Sequence, residues 1–215
     1  MDKIINEIIN LIKKENKRII IGISGHGASG KTTFVNNLLK LIGETNVNYI
    51  NTDPYIIGSN IRKYTIINYE YKNKIHQDKM TACHPVAHNI SILERDIHML
   101  RDGIDFYTLG TPFSKSFLVS SQYKINIIEG MSVAFTDLSL YDLKIYLYTD
   151  EETELLRRSI RDVSERGIDI NYLNKSHEER RIQYELFMHP FHSNFDIVLK
   201  NTNTNYFVEK TFFDS

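Results

Sequence analysis

One stretch near the start of the chain constrains its fold more than any other. It reads Gly25-His26-Gly27-Ala28-Ser29-Gly30-Lys31-Thr32 and fits the pattern G-x-x-x-x-G-K-[ST], a glycine-rich loop that binds phosphate. The isoleucine-rich run at 18–24 predicts a buried strand before it, and residues 33–42 place apolar side chains on one helical face after it. A strand, a glycine loop and a helix in this order let backbone N–H groups surround a phosphate.

The residues of this loop have predicted roles in binding a nucleoside triphosphate. The glycines leave room for backbone amides, Lys31 reaches the β- and γ-phosphates, and the hydroxyl of Thr32 ligates Mg²⁺. We therefore expect Lys31 to act in catalysis as well as in binding. The predicted nucleotide contacts are Gly25, Gly27, Ala28, Ser29, Gly30, Lys31, Thr32 and Thr33.

The composition fits a single α/β domain over residues 1–215 and gives no sign of nucleic-acid or membrane partners. Hydrophobic residues make up 41% of the chain, charged residues 25%, and the net charge is −1. This charge balance excludes a broad basic surface for nucleic acid. No apolar run approaches about 18 residues, the length that predicts a membrane span. The single cysteine, Cys83, excludes an intramolecular disulfide and favours a reducing, cytoplasmic setting.

Two acidic residues at the ends of predicted strands fit phosphate-transfer chemistry. Asp53 follows the strand predicted at 46–51, and Glu129 lies near the end of the strand predicted at 123–130. Ligands bind at such strand ends in open α/β sheets. We predict Asp53 as a general base that contacts the substrate, or as an indirect magnesium ligand, and Glu129 as a metal residue with Thr32. The structural alternative for both acids is an ordinary turn residue.

An arginine-rich helix late in the chain predicts a lid. Residues 152–167 read as this helix, and four of its arginines can converge on one face. They are Arg157, Arg158, Arg161 and Arg166. In a protein with a phosphate loop, such a helix is typical of a lid that closes on the triphosphate, here at about 157–177. A solvated helix paired with its own acidic residues is the alternative.

The middle of the chain, about 54–121, is the predicted acceptor-binding region. Residues 56–80 are polar and irregular and predict a mobile segment with some helix. Residues 104–121 predict a loop or hairpin whose aromatic surface either covers a flat substrate or packs locally. The histidines of this region lack the pattern of a zinc site, and we interpret His84 as a polar contact to a small substrate.

Taken in order, these segments resemble the uridine kinase and phosphoribulokinase family of phosphate-loop kinases. The matching segments, spread over residues 19–199, are 22–33 (GISGHGASGKTT), 53–55 (DPY), 84–85 (HP), 127–130 (IIEG), 157–162 with 165–167 (RRSIRD, ERG) and 183–184 (QY). Many enzymes share the glycine loop, whereas its combination with R-R-x-x-R-D-x-x-x-R-G is much more specific.

The alternation of strands and helices predicts a three-layer α/β fold with a mostly parallel sheet of about five strands. The resemblance implies a P-loop NTPase fold with an arginine-rich lid, ATP and Mg²⁺ as cofactors, and a small hydroxyl-bearing substrate. Uridine is the best single candidate, and a homo-oligomer is common in the family. The implied catalytic residues are Asp53, Arg161 and Arg166. Predicted substrate contacts are Asp53, Tyr55, His84, Phe113 and Gln183.

The chain departs from the family where the acceptor binds. Uridine kinases commonly carry an Asp before the His-Pro and an Arg after the E-R-G, where this chain has Cys83 and Ile168. Three functions therefore stay open: a nucleoside kinase, a kinase of another acceptor such as pantothenate or a sugar phosphate, and a nucleotide-binding regulator without turnover. A GTP-dependent switch is disfavoured, because the Asn-Lys pairs at 73–74 and 174–175 lack the Asp that recognises guanine.

Overall fold

The computed structural model describes residues 2–43, 47–165, 167, 169–203 and 205–213. In chain order its strands are β1 (Ile19–Ser24), β2 (Val47–Asn51), β3 (Ile66–Tyr71), β4 (Lys74–Lys79), β5 (Phe106–Tyr107), β6 (Leu118–Val119), β7 (Ile125–Glu129), β8 (Leu143–Tyr148), β9 (Ile197–Asn201) and β10 (Tyr206–Lys210). Its helices are α1 (Asp2–Lys14), α2 (Lys31–Ile42), α3 (Ser59–Arg62), α4 (Ile90–Arg101), α5 (Glu151–Arg158) and α6 (Ile170–Phe187).

A six-stranded sheet in the order β10-β9-β8-β1-β7-β2 forms the middle layer. β1 pairs in parallel with β7 and with β8, while β2 and β9 extend the parallel sheet on either side. Only the pairing of β10 with β9 is antiparallel within this sheet. The predicted mostly parallel sheet is therefore confirmed, and the tail of the chain supplies the sixth strand at one edge.

The side chains of β1 alternate between two hydrophobic cores, one on each face of the sheet. Ile20 lies in the core that contains residues of α4 and α6, such as Ile97. Ile21 and Ile23 lie in the other core, against α1 and α2. All of β1 is buried, because helices cover both faces of a parallel sheet. This confirms the three-layer arrangement and the buried strand predicted before the glycine loop.

The sequence prediction was wrong for residues 56–80, which we expected to be mobile with some helix. Beyond the short α3, this segment forms an antiparallel hairpin of β3 and β4. Its turn residues, Lys72 and Asn73, both have positive φ, at 50° and 59°. Two such residues in succession are typical of the primed turns that join hairpins. Strand-forming side chains such as Ile67 and Tyr69 alternate with polar ones there, and the polar residues concealed the pattern.

Two boundaries near the predicted lid also differ from the sequence prediction. The helix predicted at 152–167 divides into α5 and a π-helical stretch at 159–165. The charged residues at 178–190 predict the last helix, with an insertion at about 171–177 before it. In the structure this helix, α6, begins at Ile170 and includes residues 171–177. Arg166 lies outside the described residues. No helix in the described part of the chain has the length and apolar character needed to cross a membrane.

We expect the face of α2 that packs on the sheet to stabilise the protein much more than its outer face. Leu38 is fully buried, whereas Leu41 on the same helix is 57% exposed. Leu38→Ala should lower the free energy of unfolding by about 2–5 kcal/mol, because it leaves a cavity in a packed core. Leu41→Ala, the matched control, should change it little. Urea denaturation measures both, and equal losses would contradict this packing.

Candidate active site

The carboxyl ends of the parallel strands meet at one edge of the sheet, where a cleft of about 640 Å³ opens. The phosphate loop, the ends of β2 and β7, the helix α5 and the segment after β9 all line it. Among the lining residues are Gly27, Ala28, Gly30, Lys31, Thr32, Thr33, Asn51, Asp53, Glu129, Arg157 and Arg161. The structure thus brings most of the residues predicted for nucleotide binding and catalysis into one cleft.

Backbone geometry explains why two positions of the phosphate loop are occupied by glycine. Gly25 has a φ of 143°, and a Cβ there would lie 1.8 Å from the carbonyl oxygen of Leu147. Gly30 has a φ of 93°, and its Cβ would lie 2.2 Å from Nδ2 of Asn201. α2 begins directly after Gly30. The first amides of a helix have no intrahelical partner, so the start of α2 suits an anion in the cleft.

Lys31 is buried at the floor of this cleft. Its Nζ donates a hydrogen bond of 2.9 Å to the carbonyl oxygen of His26 and lies 4.0 Å from Oε1 of Glu129. Burial lowers the pKa of Lys31, and the nearby carboxylates of Glu129 and Asp53 oppose that shift. The ammonium group is therefore held by the loop itself, where it lines the cleft.

The carboxylate of Glu129 is buried and fixed by three neighbours. Its Oε2 accepts hydrogen bonds from the hydroxyl of Tyr49, at 2.9 Å, and from Nδ2 of Asn51, at 3.2 Å. The hydroxyl of Thr32 lies 3.5 Å from the same oxygen, so the two predicted metal residues are adjacent. Burial and the charge of Glu129 raise the pKa of Tyr49. Tyr49 therefore stays protonated, and its hydroxyl donates a hydrogen bond to the carboxylate.

The described residues hold no cluster of three or more His, Cys, Asp and Glu side chains that could bind a metal. Mg²⁺ does not require such a cluster, since it usually retains several waters and takes one or two protein oxygens plus phosphates. The pair of Thr32 and Glu129 beside the phosphate loop therefore fits a magnesium ion that arrives with a nucleotide.

Asp53 lies on the cleft at the carboxyl end of β2. It directly follows β2, its side chain is exposed, and it lines the same cleft as Lys31 and Arg161. The backbone amide of Asp53 donates a 2.8 Å hydrogen bond to Oδ1 of Asn51, which fixes the turn at the strand end. This bond uses the backbone amide of Asp53 and not its carboxylate, so it leaves both carboxylate oxygens able to contact a substrate.

None of the other predicted substrate contacts lines the described cleft. Phe113 is 95% exposed in the loop between β5 and β6. The ring of His84 packs edge-on against Phe187, with ring centroids 4.7 Å apart. Tyr55 is fully buried, and its hydroxyl donates to the carboxylate of Asp96. Their roles with the acceptor stay predictions.

Gln183 is fully buried, and its side-chain amide is engaged with the backbone at the end of β4. Its Oε1 accepts from the amide of Thr81, and its Nε2 donates to the carbonyl oxygen of Lys79, both at 2.9 Å. Gln183 therefore fastens α6 to the hairpin in this structure. A direct contact between Gln183 and the acceptor stays a prediction. To make it, the side chain would have to give up these two hydrogen bonds.

Two arginines of the predicted lid helix line the cleft. The guanidinium of Arg157 donates to the carbonyl oxygens of Ala28 and Thr202 and to Oδ1 of Asn201, at 3.0–3.1 Å. It thereby ties the phosphate loop to the segment after β9. Arg161 lines the same cleft and donates to Asp162 through its Nε.

A buried network that the sequence did not reveal supports the phosphate loop. Nε2 of His26 accepts a 3.0 Å hydrogen bond from the amide of Thr149, so the ring proton is on Nδ1. Nδ1 faces the carbonyl oxygen of Gly27, at 2.8 Å, and Oε2 of Glu154, at 3.4 Å. The same oxygen of Glu154 lies 3.3 Å from Nη1 of Arg181.

The network keeps Glu154 ionised inside the protein. Burial alone would raise the pKa of this carboxyl. The interactions with His26, His177 and Arg181, in that order of size, outweigh burial and lower the pKa to about 2. These residues lie far apart in the chain, so no local pattern could have identified the network.

Comparison with known proteins agrees with this geometry. A family model described as "Phosphoribulokinase / Uridine kinase family" matches residues 20–207. A uridine kinase from Lactobacillus helveticus is 28% identical over 91% of this chain and 92% of its own length. "Uridine-cytidine kinase 2-B" from Danio rerio is 26% identical over 84% of this chain and 69% of its own length.

Two solved structures share the fold. The phosphoribulokinase from Rhodobacter spheroides has a TM-score of 0.61 and 17% identity, and the match covers 86% of this chain and 71% of that one. A D-glycerate 3-kinase from Cryptococcus neoformans has a TM-score of 0.52 and 10% identity, with 90% of each chain covered. At these low sequence identities, the two comparisons show a shared fold and nothing further.

We expect Glu154→Gln to destabilise the protein in a pH-dependent way. The folded pKa of about 2 lies below the ordinary value of 4.5, so ionised Glu154 stabilises the fold fully at neutral pH. That stabilisation, about 3 kcal/mol at most, is lost as the pH falls from about 5 towards 2. The difference in urea midpoint between wild type and Glu154→Gln should therefore shrink over that range.

The matched control for this experiment is Glu152→Gln, since Glu152 is exposed on the same helix. Its urea midpoint should follow that of the wild type at every pH. A Glu154→Gln difference that stayed constant from neutral pH down to pH 3 would contradict the assigned charge.

Proposed function

Because the chain belongs to the phosphoribulokinase and uridine kinase family, we propose that it transfers the γ-phosphate of ATP to a hydroxyl group of a small metabolite. The observation that carries this proposal is the convergence of Lys31, Asp53 and Glu129 on the cleft at the start of α2. Phosphoryl transfer depends mainly on positioning and on charge neutralisation, and this cleft supplies groups for both.

In the proposed reaction, Asp53 accepts the proton of the acceptor hydroxyl as its oxygen attacks the γ-phosphorus. The bond from the γ-phosphorus to the bridging oxygen breaks, and ADP leaves with that oxygen. Lys31 and Arg161 neutralise the charge that spreads over the transferred group. The backbone amides at the start of α2 hold the phosphates that stay on ADP.

Thr32 and Glu129 are the residues that we propose to hold Mg²⁺, which fits their 3.5 Å separation. When bound with ATP, the ion would supply charge neutralisation between the phosphates. Tyr49 and Asn51 keep the Glu129 carboxylate in place through their hydrogen bonds. The segment at about 157–177 is proposed as the lid, with Arg161 and Arg166 acting on the triphosphate.

The acceptor is the part of the proposal that the family leaves open. Curated relatives at 26–28% identity are named uridine kinase or uridine-cytidine kinase, which supports a nucleoside, with uridine first. The region at about 54–121 is proposed to bind it. A kinase of a non-nucleoside acceptor such as pantothenate or a sugar phosphate is the second candidate, because the chain has Cys83 and Ile168 where uridine kinases commonly carry an Asp and an Arg. A homo-oligomer and a cytoplasmic location stay predictions.

We expect Lys31→Ala to abolish most turnover, because the compact cation at the β- and γ-phosphates is lost. The measurement is acceptor-dependent ADP release in a coupled assay. Lys40→Ala is the matched control, since Lys40 is exposed on the same helix, and it should retain wild-type rates. Wild-type ADP production by Lys31→Ala would show that the loop is wrongly assigned.

We expect Asp53→Asn to lower kcat by about 10²–10⁴, the usual cost of losing a general base. Binding of ATP, measured by calorimetry, should change little. The exposed Asp102 gives a control, and Asp102→Asn should keep the wild-type kcat. An unchanged kcat in Asp53→Asn together with an altered Mg²⁺ dependence would instead reassign Asp53 to metal binding.

A further inference from the structure

His26 belongs to the phosphate loop, yet its ring is buried on the side of the loop that packs against α6. The residue is 1% exposed, and the centroid of its ring lies 4.3 Å from that of Tyr184 on α6. His26 is not among the described residues that line the cleft, although the next residue, Gly27, is. Its side chain therefore influences a ligand in the cleft through the loop rather than by contact.

The backbone of His26 holds Lys31, and the ring of His26 holds that backbone. The carbonyl oxygen of His26 accepts the 2.9 Å hydrogen bond from Nζ of Lys31. The ring is fixed at both of its nitrogens, since Nδ1 lies 2.8 Å from the carbonyl oxygen of Gly27 and Nε2 accepts from the amide of Thr149. A change that releases the ring would therefore also loosen the carbonyl group that orients Lys31.

The helix α5 contacts the phosphate loop at two points, one helical turn apart. Oε2 of Glu154 lies 3.4 Å from Nδ1 of His26, and Arg157 donates a 3.1 Å hydrogen bond to the carbonyl oxygen of Ala28. Residues three apart on a helix share a face, so α5 presents both side chains to the loop. Arg161 follows in the π-helical stretch at 159–165 and lines the cleft. The contact of Glu154 with His26 therefore fixes the same segment that carries Arg157 and Arg161.

Four contacts around His26 form a closed ring. His26 accepts from the amide of Thr149, and the carbonyl oxygen of Thr149 accepts from Nη1 of Arg181, at 3.2 Å. The same Nη1 lies 3.3 Å from Oε2 of Glu154, which faces His26 again. None of these groups can move without breaking a contact to the next one. Because the members come from the loop, the end of β8, α5 and α6, the ring fixes these four segments relative to one another.

The buried carboxylate is a costly way to achieve stability alone. Glu154 is 1% exposed, and moving a carboxylate out of water is expensive even when it is paired. An ion pair that repays this cost poorly in stability still defines one geometry for its partners. The place where that geometry matters is the loop, because His26 directly orients Lys31.

We propose that His26 and Glu154 are positioning residues for the phosphoryl transfer, and that their contact places Lys31 and Arg161 towards the γ-phosphate. This inference rests on the proposed kinase function and deepens it. Neither residue touches a substrate. Their effect falls on the γ-phosphate, where Lys31 and Arg161 are proposed to act, more than on the phosphates held by the amides of the loop.

The first test measures this preference for the γ-phosphate without any acceptor. Calorimetry gives the Kd of ADP and of AMP-PNP, a non-hydrolysable ATP analogue, each with Mg²⁺. His26→Leu keeps the bulk of the ring and removes both nitrogens. The ratio of the Kd of ADP to that of AMP-PNP should fall about 10-fold relative to wild type, because one buried polar contact of Lys31 is no longer held in place.

A matched control separates positioning from stability. Leu100 is fully buried near the end of α4, and the next residue, Arg101, donates to the carbonyl oxygen of Leu140 ahead of β8. This position lies at the end of the sheet opposite the cleft. Leu100→Ala should lower the melting temperature, as His26→Leu does, and keep the wild-type Kd ratio. A wild-type ratio in His26→Leu, or an equal fall in both variants, would overturn the inference.

A second variant tests the same contact from the other side and serves if His26→Leu does not fold. Glu154→Gln keeps the size of the side chain and removes its charge, and it should also lower the Kd ratio, whereas Glu152→Gln should not. Combining His26→Leu with Glu154→Gln should add little to the loss, because both changes remove one contact. A wild-type ratio in Glu154→Gln, or losses that add fully in the double variant, would overturn the inference.

Turnover distinguishes failure of this inference from failure of the kinase proposal. With whichever of uridine, pantothenate or ribulose 5-phosphate the wild type uses, Glu154→Gln should lower kcat about 10- to 100-fold and leave the KM of that acceptor unchanged. A wild-type kcat in Glu154→Gln would overturn the positioning role and leave the kinase function intact. No ADP release with any acceptor, together with the expected Kd ratios, would overturn the kinase proposal and keep the role of His26 in nucleotide binding.

Discussion

The hydrogen bond from Nζ of Lys31 to the carbonyl oxygen of His26 is the contact on which the site depends. It folds the side chain at the start of α2 back onto its own loop and holds a buried ammonium group at the cleft. Desolvating such a group is costly, and Glu129 at 4.0 Å offsets part of that cost. The parallel pairing of β1 with β7 keeps Lys31 and Glu129 at the same edge of the sheet.

A chain of contacts connects this loop with the hairpin of β3 and β4. The hydroxyl of Tyr71, in the hairpin, donates to Glu185, which pairs with Arg181 at 3.1 Å. Arg181 lies 3.3 Å from Glu154, and Glu154 faces His26 inside the phosphate loop. α6 thus connects the phosphate loop with the hairpin of β3 and β4.

The sequence predicted most of the residues that line the cleft, whereas most of the predicted substrate contacts lie outside it. Lys31, Thr32 and Glu129 could be placed because the glycine loop and the strand ends are local patterns whose geometry is nearly fixed. The network of His26 and Glu154 could not, since it joins residues that only the folded sheet brings together. The hairpin at 66–79 was missed because polar residues are interspersed along both strands, although the turn at Asn73 was a usable signal.

The most direct test of the central claim follows the γ-phosphate itself. The protein is incubated with γ-labelled ATP, Mg²⁺ and a deproteinised small-molecule extract, and the labelled products are separated by charge and mass. The account predicts one new labelled small molecule, formed on a hydroxyl and lost in Asp53→Asn. Label found only in ATP and inorganic phosphate, with ATP still bound by the protein, would contradict it and favour a nucleotide-binding regulator.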